Sequence, residues 1–203
     1  FPGITFNTPN SMCSAPGLSN QLYLVESPGR IWMVTNIASG TPSKVMYLDI
    51  TDRVLTDTYE RGAKGVACHP GFKTNGLMFV TYNYASGGTN FIRLSKFTNG
   101  VPSSEVVLIQ QVDDGPYHDI DTCRFGPDGY LYVSIGDEGG QNEEFQNAQR
   151  INKDMFSCII RIDVDKKPGN LEPNPDPDIP RNVGGLAYFS IPLDNPFIGA
   201  TSF

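Results

Sequence analysis

The 203-residue chain lacks a long apolar run. No stretch approaches the roughly 18 consecutive apolar residues that a membrane-spanning helix requires, so the sequence predicts no membrane span. Basic residues are also scarce, because 15 Lys and Arg face 22 Asp and Glu. The resulting formal net charge of -7 repels a phosphate backbone, and nucleic acid is therefore not an expected partner.

Cysteine pairs of the metal-binding or redox type are absent. The four cysteines, Cys13, Cys68, Cys123 and Cys158, lie far apart without any C-x-x-C motif, which argues against a zinc or thioredoxin-like site. Two disulfides, one disulfide or four buried thiols all remain compatible with this spacing. Helical periodicity is rare as well: residues 143–156 are compatible with one or two helical turns, and the rest of the chain has the pattern of strands and turns.

Glycine and proline are plentiful, with 21 and 16 residues, and they mark an internal repeat. Three copies of a Pro-Gly or Pro-Asp turn occur at Pro16, Pro70 and Pro127. A strand-like run follows each turn, then a second run, and outer runs with period-two alternation complete the unit. The first runs are residues 22–25, 78–81 and 131–134, and the second runs are residues 30–34, 92–97 and 159–164. The outer strands include residues 45–50 and 106–110. We interpret the run after each turn as the innermost strand of a four-stranded blade.

The repeat predicts an all-β fold, a β-propeller of four-stranded blades. We expect residues 1–203 to form a single partial propeller domain, with about three blades at 1–55, 56–112 and 113–167. Residues 168–203 contain many prolines, which disfavour strand pairing, and are expected to form an excursion toward a next blade. Propellers close with at least four blades, so three blades leave two open faces.

Two segments of the chain match known signatures. Residues 59–70, with the sequence YERGAKGVACHP, and the TNG at 74–76 are similar to E-x-G-L-x-G-x-A-F-H-P…N-G. His118, followed seven residues later by FGPDGYLYVSIGD at 125–137, resembles H-x-G-G-x-L-x-F-G-P-D-G-x-L-Y-V-S-I-G-D. In both segments the chain resembles the glucose/sorbosone dehydrogenase family, whose members use pyrroloquinoline quinone (PQQ). The similarity extends over almost the whole chain.

The resemblance implies a six-bladed propeller about twice as long as this chain, which would then hold the N-terminal half. It also implies oxidation of an aldose sugar at the anomeric carbon. By motif position His118 matches the catalytic base, Asp137 its catalytic carboxylate partner, and Glu60 a substrate-binding residue. A histidine is suited to accept a proton near neutral pH, and a carboxylate on its other nitrogen fixes the tautomer.

The resemblance further implies PQQ and Ca²⁺ as cofactors, with most of their ligands outside this chain. We assign no cofactor-binding residue and no metal ligand within it. The expected partners are a small sugar, an external electron acceptor, and either the missing C-terminal half or a second copy that completes the propeller. The expected location is secreted or periplasmic.

A departure from the family motif favours an alternative function. Ile120 and Asp121 replace the Gly-Gly that follows the histidine motif, and Asp119 and Asp121 add negative charge. The alternative is a non-catalytic extracellular propeller that binds a protein or carbohydrate partner. In that case Asp137 could merely cap the turn after Gly136, and Glu60 could belong to a solvated face.

Overall fold

The structure, a computed structural model, describes residues 1, 3–148, 150, 152 and 154–199. In this part of the chain the strands form three antiparallel sheets. Among the described residues, no helix is both long and apolar enough to cross a membrane. The all-β prediction and the four-stranded sheets expected of a partial propeller are confirmed.

The first two sheets each contain four strands in chain order. The first consists of β1 (Pro9–Ala15), β2 (Leu18–Glu26), β3 (Arg30–Thr35) and β4 (Ser43–Asp49). The second consists of β5 (Ala63–Cys68), β6 (Leu77–Ser86), β7 (Thr89–Thr98) and β8 (Val101–Val112). Both are simple meanders because each strand pairs antiparallel with the next one along the chain.

The third sheet has three strands among the described residues, in the order β9-β10-β11. These are β9 (Ile120–Phe125), β10 (Leu131–Ile135) and β11 (Cys158–Ile162). The proline-rich segment beyond them returns to the end of β11 through an isolated bridge from Asp163 to Ser190, and a second bridge, from Leu171 to Ile191, joins two parts of the segment itself. It buries Phe189 against the sheet.

Two sequence-based expectations about local structure were wrong. The runs that follow the Pro turns are the second strands of their sheets, and the innermost strands are β1, β5 and β9, which contact one another from sheet to sheet. The described residues between 143 and 156 contain turns and bends instead of a helix, and Ile151, one of the residues in that pattern, lies outside the described residues. Short helices occur at Phe72–Asn75 (α1) and, as a 3₁₀ turn, at Ile37–Ser39.

The middle sheet is buried on both faces. Successive side chains of β6 point in opposite directions, so Met78, Val80 and Tyr82 join the core shared with the first sheet, whereas Phe79 joins the core shared with the third. All four side chains are fully buried. The three sheets therefore stack face to face, and the loops that enter the innermost strands lie at a common end.

Candidate functional site

Three loops at this common end carry the residues that the motifs singled out. Glu60 lies between the first and second sheets, just before β5, and His118 lies between the second and third sheets, just before β9. Asp137 follows β10, which runs antiparallel to β9 and so ends where β9 begins. The topology thus brings together residues that are separated by 58 and 19 positions in the sequence.

His118 and Asp137 form a hydrogen-bonded pair at the surface of this end. The distance from His118 Nδ1 to Asp137 Oδ1 is 2.7 Å, and the two side chains are 54% and 38% exposed. This hydrogen bond is the main cause that raises the pKa of His118, and Asp137, Glu60 and Asp119 add electrostatic contributions in the same direction. Among the described residues, no hydrogen bond engages His118 Nε2, which therefore remains open to a ligand.

Glu60 contacts His118 through the main chain. Its Oε2 accepts a 2.8 Å hydrogen bond from the backbone N–H of His118. Asp137 is also fixed from its own loop, because its Oδ1 accepts a 3.0 Å hydrogen bond from the backbone N–H of Gly139. Asp137 Oδ1 therefore contacts both the backbone of its own turn and the imidazole of His118.

The backbone around His118 is unusually constrained. His118 has a φ of 56°, in the left-handed region that costs an L-residue roughly 1–2 kcal/mol. Its carbonyl oxygen lies where a Cβ at Gly136 would have to be, and the N–H of Gly136 donates a 3.0 Å hydrogen bond to the Asp119 carbonyl. Only glycine permits this approach of the two loops, which places Asp137 beside the imidazole.

Arg61 is buried beneath the His118–Asp137 pair and connects the loop that carries Glu60 with the loop that carries His118. Its side chain is only 4% exposed, and Nη2 donates hydrogen bonds of 3.0 Å to Asp113 Oδ2 and 2.6 Å to the carbonyl of Gly115. Nη1 lies 3.1 Å from Asp57, and Nε lies 3.7 Å from Asp119. The loop that carries His118 is thereby clamped to the loop that carries Glu60.

The buried carboxylates around Arg61 have perturbed protonation equilibria. Burial and the nearby charge of Asp119 raise the pKa of Asp113 to about 7, and burial also raises the pKa of Asp119. Asn83 supports Asp119 with a 2.6 Å hydrogen bond from Nδ2. The cluster thus contains two carboxylates in close proximity to one guanidinium, so that near neutral pH the carboxylates compete for a proton.

Sequence reasoning missed Arg61 and an aromatic pair next to the site. The rings of Tyr59 and Tyr117 lie 5.2 Å apart, and Tyr59 is 81% exposed. These tyrosines directly precede Glu60 and His118, so their positions beside both motif residues were a usable signal. Arg61 also adjoins Glu60, but its clamping contacts could not be predicted, because its partners Asp113 and Gly115 are 52 and 54 positions away.

The other histidine, His69, has a different environment. Its ring is largely buried, Nε2 lies 3.0 Å from Asp165 Oδ1, and Nδ1 lies 2.9 Å from the N–H of Gly71 and 2.8 Å from Asn75 Nδ2. Both ring nitrogens are therefore engaged: Nδ1 holds the turn between β5 and β6, and Nε2 ties this turn to Asp165 after β11.

The described residues around His118 are better suited to accepting a proton than to binding PQQ or Ca²⁺. Asp137, Glu60 and Asp119 give the surroundings of His118 a negative field, which opposes a quinone with several carboxylates. The buried cation Arg61 is already bound by carboxylates, and no group of three or more His, Cys, Asp or Glu side chains in the described part of the chain is arranged to hold a metal ion. By themselves these three sheets thus form neither a PQQ cradle nor a calcium site.

Several known proteins are similar to this chain in sequence or in fold. The HIPL2 protein of Arabidopsis thaliana is 28% identical over 237 residues, covering 93% of this chain and 33% of that protein. Hedgehog-interacting protein of Homo sapiens is 26% identical over 200 residues, covering 91% of this chain and 26% of that protein. The chain thus spans a third or less of these relatives.

A solved structure of PQQ-bound aldose sugar dehydrogenase from Streptomyces coelicolor superposes with a TM-score of 0.61 at 22% identity. The match covers 87% of this chain and 50% of the dehydrogenase, and at this identity it establishes the fold. The family model for glucose/sorbosone dehydrogenase matches residues 6–179. The chain belongs to the glucose/sorbosone dehydrogenase family.

Proposed function

We propose that this chain carries the base of a PQQ-dependent aldose dehydrogenase, with His118 as the residue that accepts the proton of the anomeric hydroxyl. The observation that carries this proposal is the 2.7 Å contact between His118 Nδ1 and Asp137, which leaves Nε2 open on an exposed surface. A base and an orienting carboxylate in this geometry are what proton abstraction requires.

Each of the three motif residues has a defined task in this proposal. Nε2 of neutral His118 accepts the hydroxyl proton, while the Nδ1 proton stays in the hydrogen bond to Asp137. Asp137 stabilises the imidazolium that forms, and Glu60 holds the His118 backbone in its left-handed conformation. Glu60 is therefore a positioning residue, in addition to its expected contact with the sugar. PQQ, when bound, supplies the acceptor for the hydride that leaves the anomeric carbon.

The remaining contacts to PQQ and Ca²⁺ are assigned to other blades. The solved dehydrogenase is twice as long as the part that this chain matches, and the described residues form no complete cofactor site. We therefore propose that the second half of the ring, or a second copy, provides these contacts and that an external acceptor reoxidises the quinone. We also propose a secreted or periplasmic location.

The test is a spectroscopic titration. The chain, assembled with the second half of the ring or with a second copy, is mixed with PQQ and Ca²⁺ and freed of unbound cofactor, and the absorbance of this assembly is recorded before and after glucose is added. We expect the oxidised cofactor to remain bound and to be bleached by the sugar. A protein that retains no cofactor, or a bound cofactor that neither glucose nor other aldoses reduce, contradicts the proposal.

A second candidate function is a non-catalytic module that binds carbohydrate. The pair of exposed Tyr59 and half-buried Tyr117 favours it, because aromatic faces at the open end of the sheets offer a stacking surface beside polar groups. The negative field around His118, which opposes PQQ, is compatible with a neutral sugar ligand.

Methyl glucoside separates the two candidates, because its anomeric oxygen carries no proton to remove. A binding module is expected to take up this sugar without PQQ in a calorimetric titration, with loss of binding in Tyr59→Ala and none in His118→Ala. If methyl glucoside and other simple glycosides fail to bind the wild-type protein, the carbohydrate-binding candidate is wrong.

A further inference from the structure

Two of the four cysteines lie against each other at the junction of the first two sheets. Cys13 on β1 and Cys68 on β5 are 55 positions apart in the sequence, and their sulfur atoms lie 3.5 Å apart. Both belong to innermost strands, and the side chains are 9% and 5% exposed within the shared hydrophobic core. The contact thus joins two different sheets through their most central strands.

The other two cysteines have separate partners. The thiol of Cys123 points at the carbonyl of Phe79 at 3.7 Å, and the thiol of Cys158 donates to the carbonyl of Met155 at 3.0 Å. Burial raises the pKa of both thiols. The structure therefore separates one facing pair from two cysteines that hydrogen bond to the backbone.

The facing pair is also chemically asymmetric. The hydrogen bond between the two thiols lowers the pKa of Cys13 and raises that of Cys68, and the positive charge of Arg124 further lowers the pKa of Cys13. Either sulfur can donate the hydrogen bond, and the positive charge of Arg124 favours the thiolate of Cys13. A thiolate beside a second thiol is the arrangement from which a disulfide forms by exchange.

We propose that Cys13 and Cys68 form a disulfide that links the first sheet to the second when the protein folds in an oxidising environment. The Cys13 thiolate attacks a disulfide oxidant, such as oxidised glutathione, and forms a mixed disulfide while one reduced thiol leaves. The Cys68 thiolate then attacks the Cys13 sulfur, which releases the second reduced thiol and forms the intramolecular bond. The two cysteines lose two electrons and two protons, and the oxidant gains them.

The proposed disulfide attaches the first sheet to the second. β1 pairs with β2 and otherwise contacts β5, so packing against the second sheet attaches the first sheet to the array. Closing a 55-residue loop removes conformational entropy from the unfolded chain. For a chain of this size, we expect the loss of the link to lower Tm by roughly 10 °C.

The test uses refolding in a buffer of oxidised and reduced glutathione, followed by alkylation of the denatured protein and peptide mapping. We expect label on Cys123 and Cys158 alone, a mass two hydrogens lighter than the reduced protein, and a linked peptide that contains Cys13 and Cys68. Label on all four cysteines, or a linked peptide with a different pair, overturns the proposal. This measurement needs only the wild-type protein.

Single substitutions provide the matched controls. Cys123→Ser and Cys158→Ser are expected to keep the link and the fall in Tm on reduction, whereas Cys13→Ser and Cys68→Ser are expected to lose both. If reduction lowers Tm equally in the wild type and in Cys13→Ser, the stabilisation does not come from this pair and the proposal is wrong.

Discussion

The two histidines of the chain each face an aspartate, yet their surroundings differ. His69 is largely buried in the turn after β5, and both of its ring nitrogens have partners. His118 is 54% exposed in the loop before β9, and Asp137 holds one of its nitrogens while the other is open. The comparison shows that a His–Asp contact by itself does not define a site. What distinguishes the two is whether a nitrogen remains for a ligand.

The two rings also differ in tautomer. Gly71 and Asn75 both direct N–H groups at Nδ1 of His69, so that nitrogen is the acceptor and the proton resides on Nε2, toward Asp165. In His118 the carboxylate of Asp137 lies against Nδ1, which must carry the proton, and Nε2 is the acceptor. The buried histidine is thus fixed as a structural element, whereas the exposed one presents a basic nitrogen outward.

Removing the exposed histidine is expected to have the largest effect on activity. His118→Ala should lower kcat/KM for aldose oxidation by roughly 10²–10⁴, the usual contribution of a general base, with Tm nearly unchanged because the side chain is exposed. Steady-state kinetics and thermal unfolding measure the two quantities. Equal losses of Tm and activity would assign His118 to structure.

Arg61→Met is expected to have the largest effect on stability. The substitution leaves the carboxylates of Asp113 and Asp119 without their buried cation, and breaking a buried ion pair costs about 3–5 kcal/mol. Urea unfolding measures this free energy. Arg30→Met, at an exposed pair with Asp49, is the matched control and should cost at most about 1 kcal/mol. Similar costs for both variants would show that Arg61 does not clamp the loops.

His69→Ala should reverse the pattern seen for His118→Ala. The variant leaves the half-buried N–H groups of Gly71 and Asn75 without their acceptor, which costs about 1–3 kcal/mol. Thermal unfolding should therefore show a fall in Tm, while aldose oxidation by the remaining folded protein stays near the wild-type rate. A selective loss of activity would instead place His69 in the reaction.

Asp137→Asn should bring the pKa of His118 back toward its ordinary value, because the hydrogen bond to Asp137 is the main cause of its increase. In the proposed reaction neutral His118 is the base, so the acid limb of kcat/KM should move to lower pH. The wild-type pair stabilises the fold fully below the ordinary histidine pKa of about 6.5, and this contribution is lost as pH rises through the raised pKa. Asp121→Asn, at an exposed carboxylate, is the control and should leave the pH profile in place.

Glu60→Gln is expected to have the smallest effect. Glutamine keeps an oxygen that can accept the backbone N–H of His118, so kcat/KM should fall only a few-fold, whereas Glu60→Ala removes the acceptor and should reduce kcat/KM further. Kinetics of the two variants under the same conditions provide the comparison. Identical losses in both would mean that the charge of Glu60 matters more than its hydrogen bond.

Much of the fold could be predicted from the repeat, because Pro16, Pro70 and Pro127 each mark the turn between the first two strands of a sheet. Two innermost strands, β1 and β5, escaped prediction because most of their residues are small and they lack the usual β-branched and aromatic pattern. Crowding near the propeller centre explains this composition: a Cβ at Gly65 on β5 would overlap the backbone of Asp121 and the hydroxyl of Thr81. Strand prediction from β-branched and aromatic residues does not detect such segments.

The motifs located His118, Asp137 and Glu60 but not the means by which they are held together. The resemblance supplied the residue identities, and the antiparallel return of β10 beside β9 brings Asp137 to the imidazole. Arg61 and its buried carboxylates depend on contacts between loops more than 50 positions apart, which no local pattern reveals. The sequence thus predicts which residues form the described site, but it does not predict the contacts of Arg61 that hold them in place.

The most direct test of the contrast is an NMR titration of the ring nitrogens of both histidines in the ¹⁵N-labelled protein. We predict that neutral His118 carries its proton on Nδ1 and titrates above the ordinary histidine range, and that neutral His69 carries its proton on Nε2. A proton on Nε2 of neutral His118 would contradict the account, because the nitrogen that faces a ligand would then be a donor and could not act as the base.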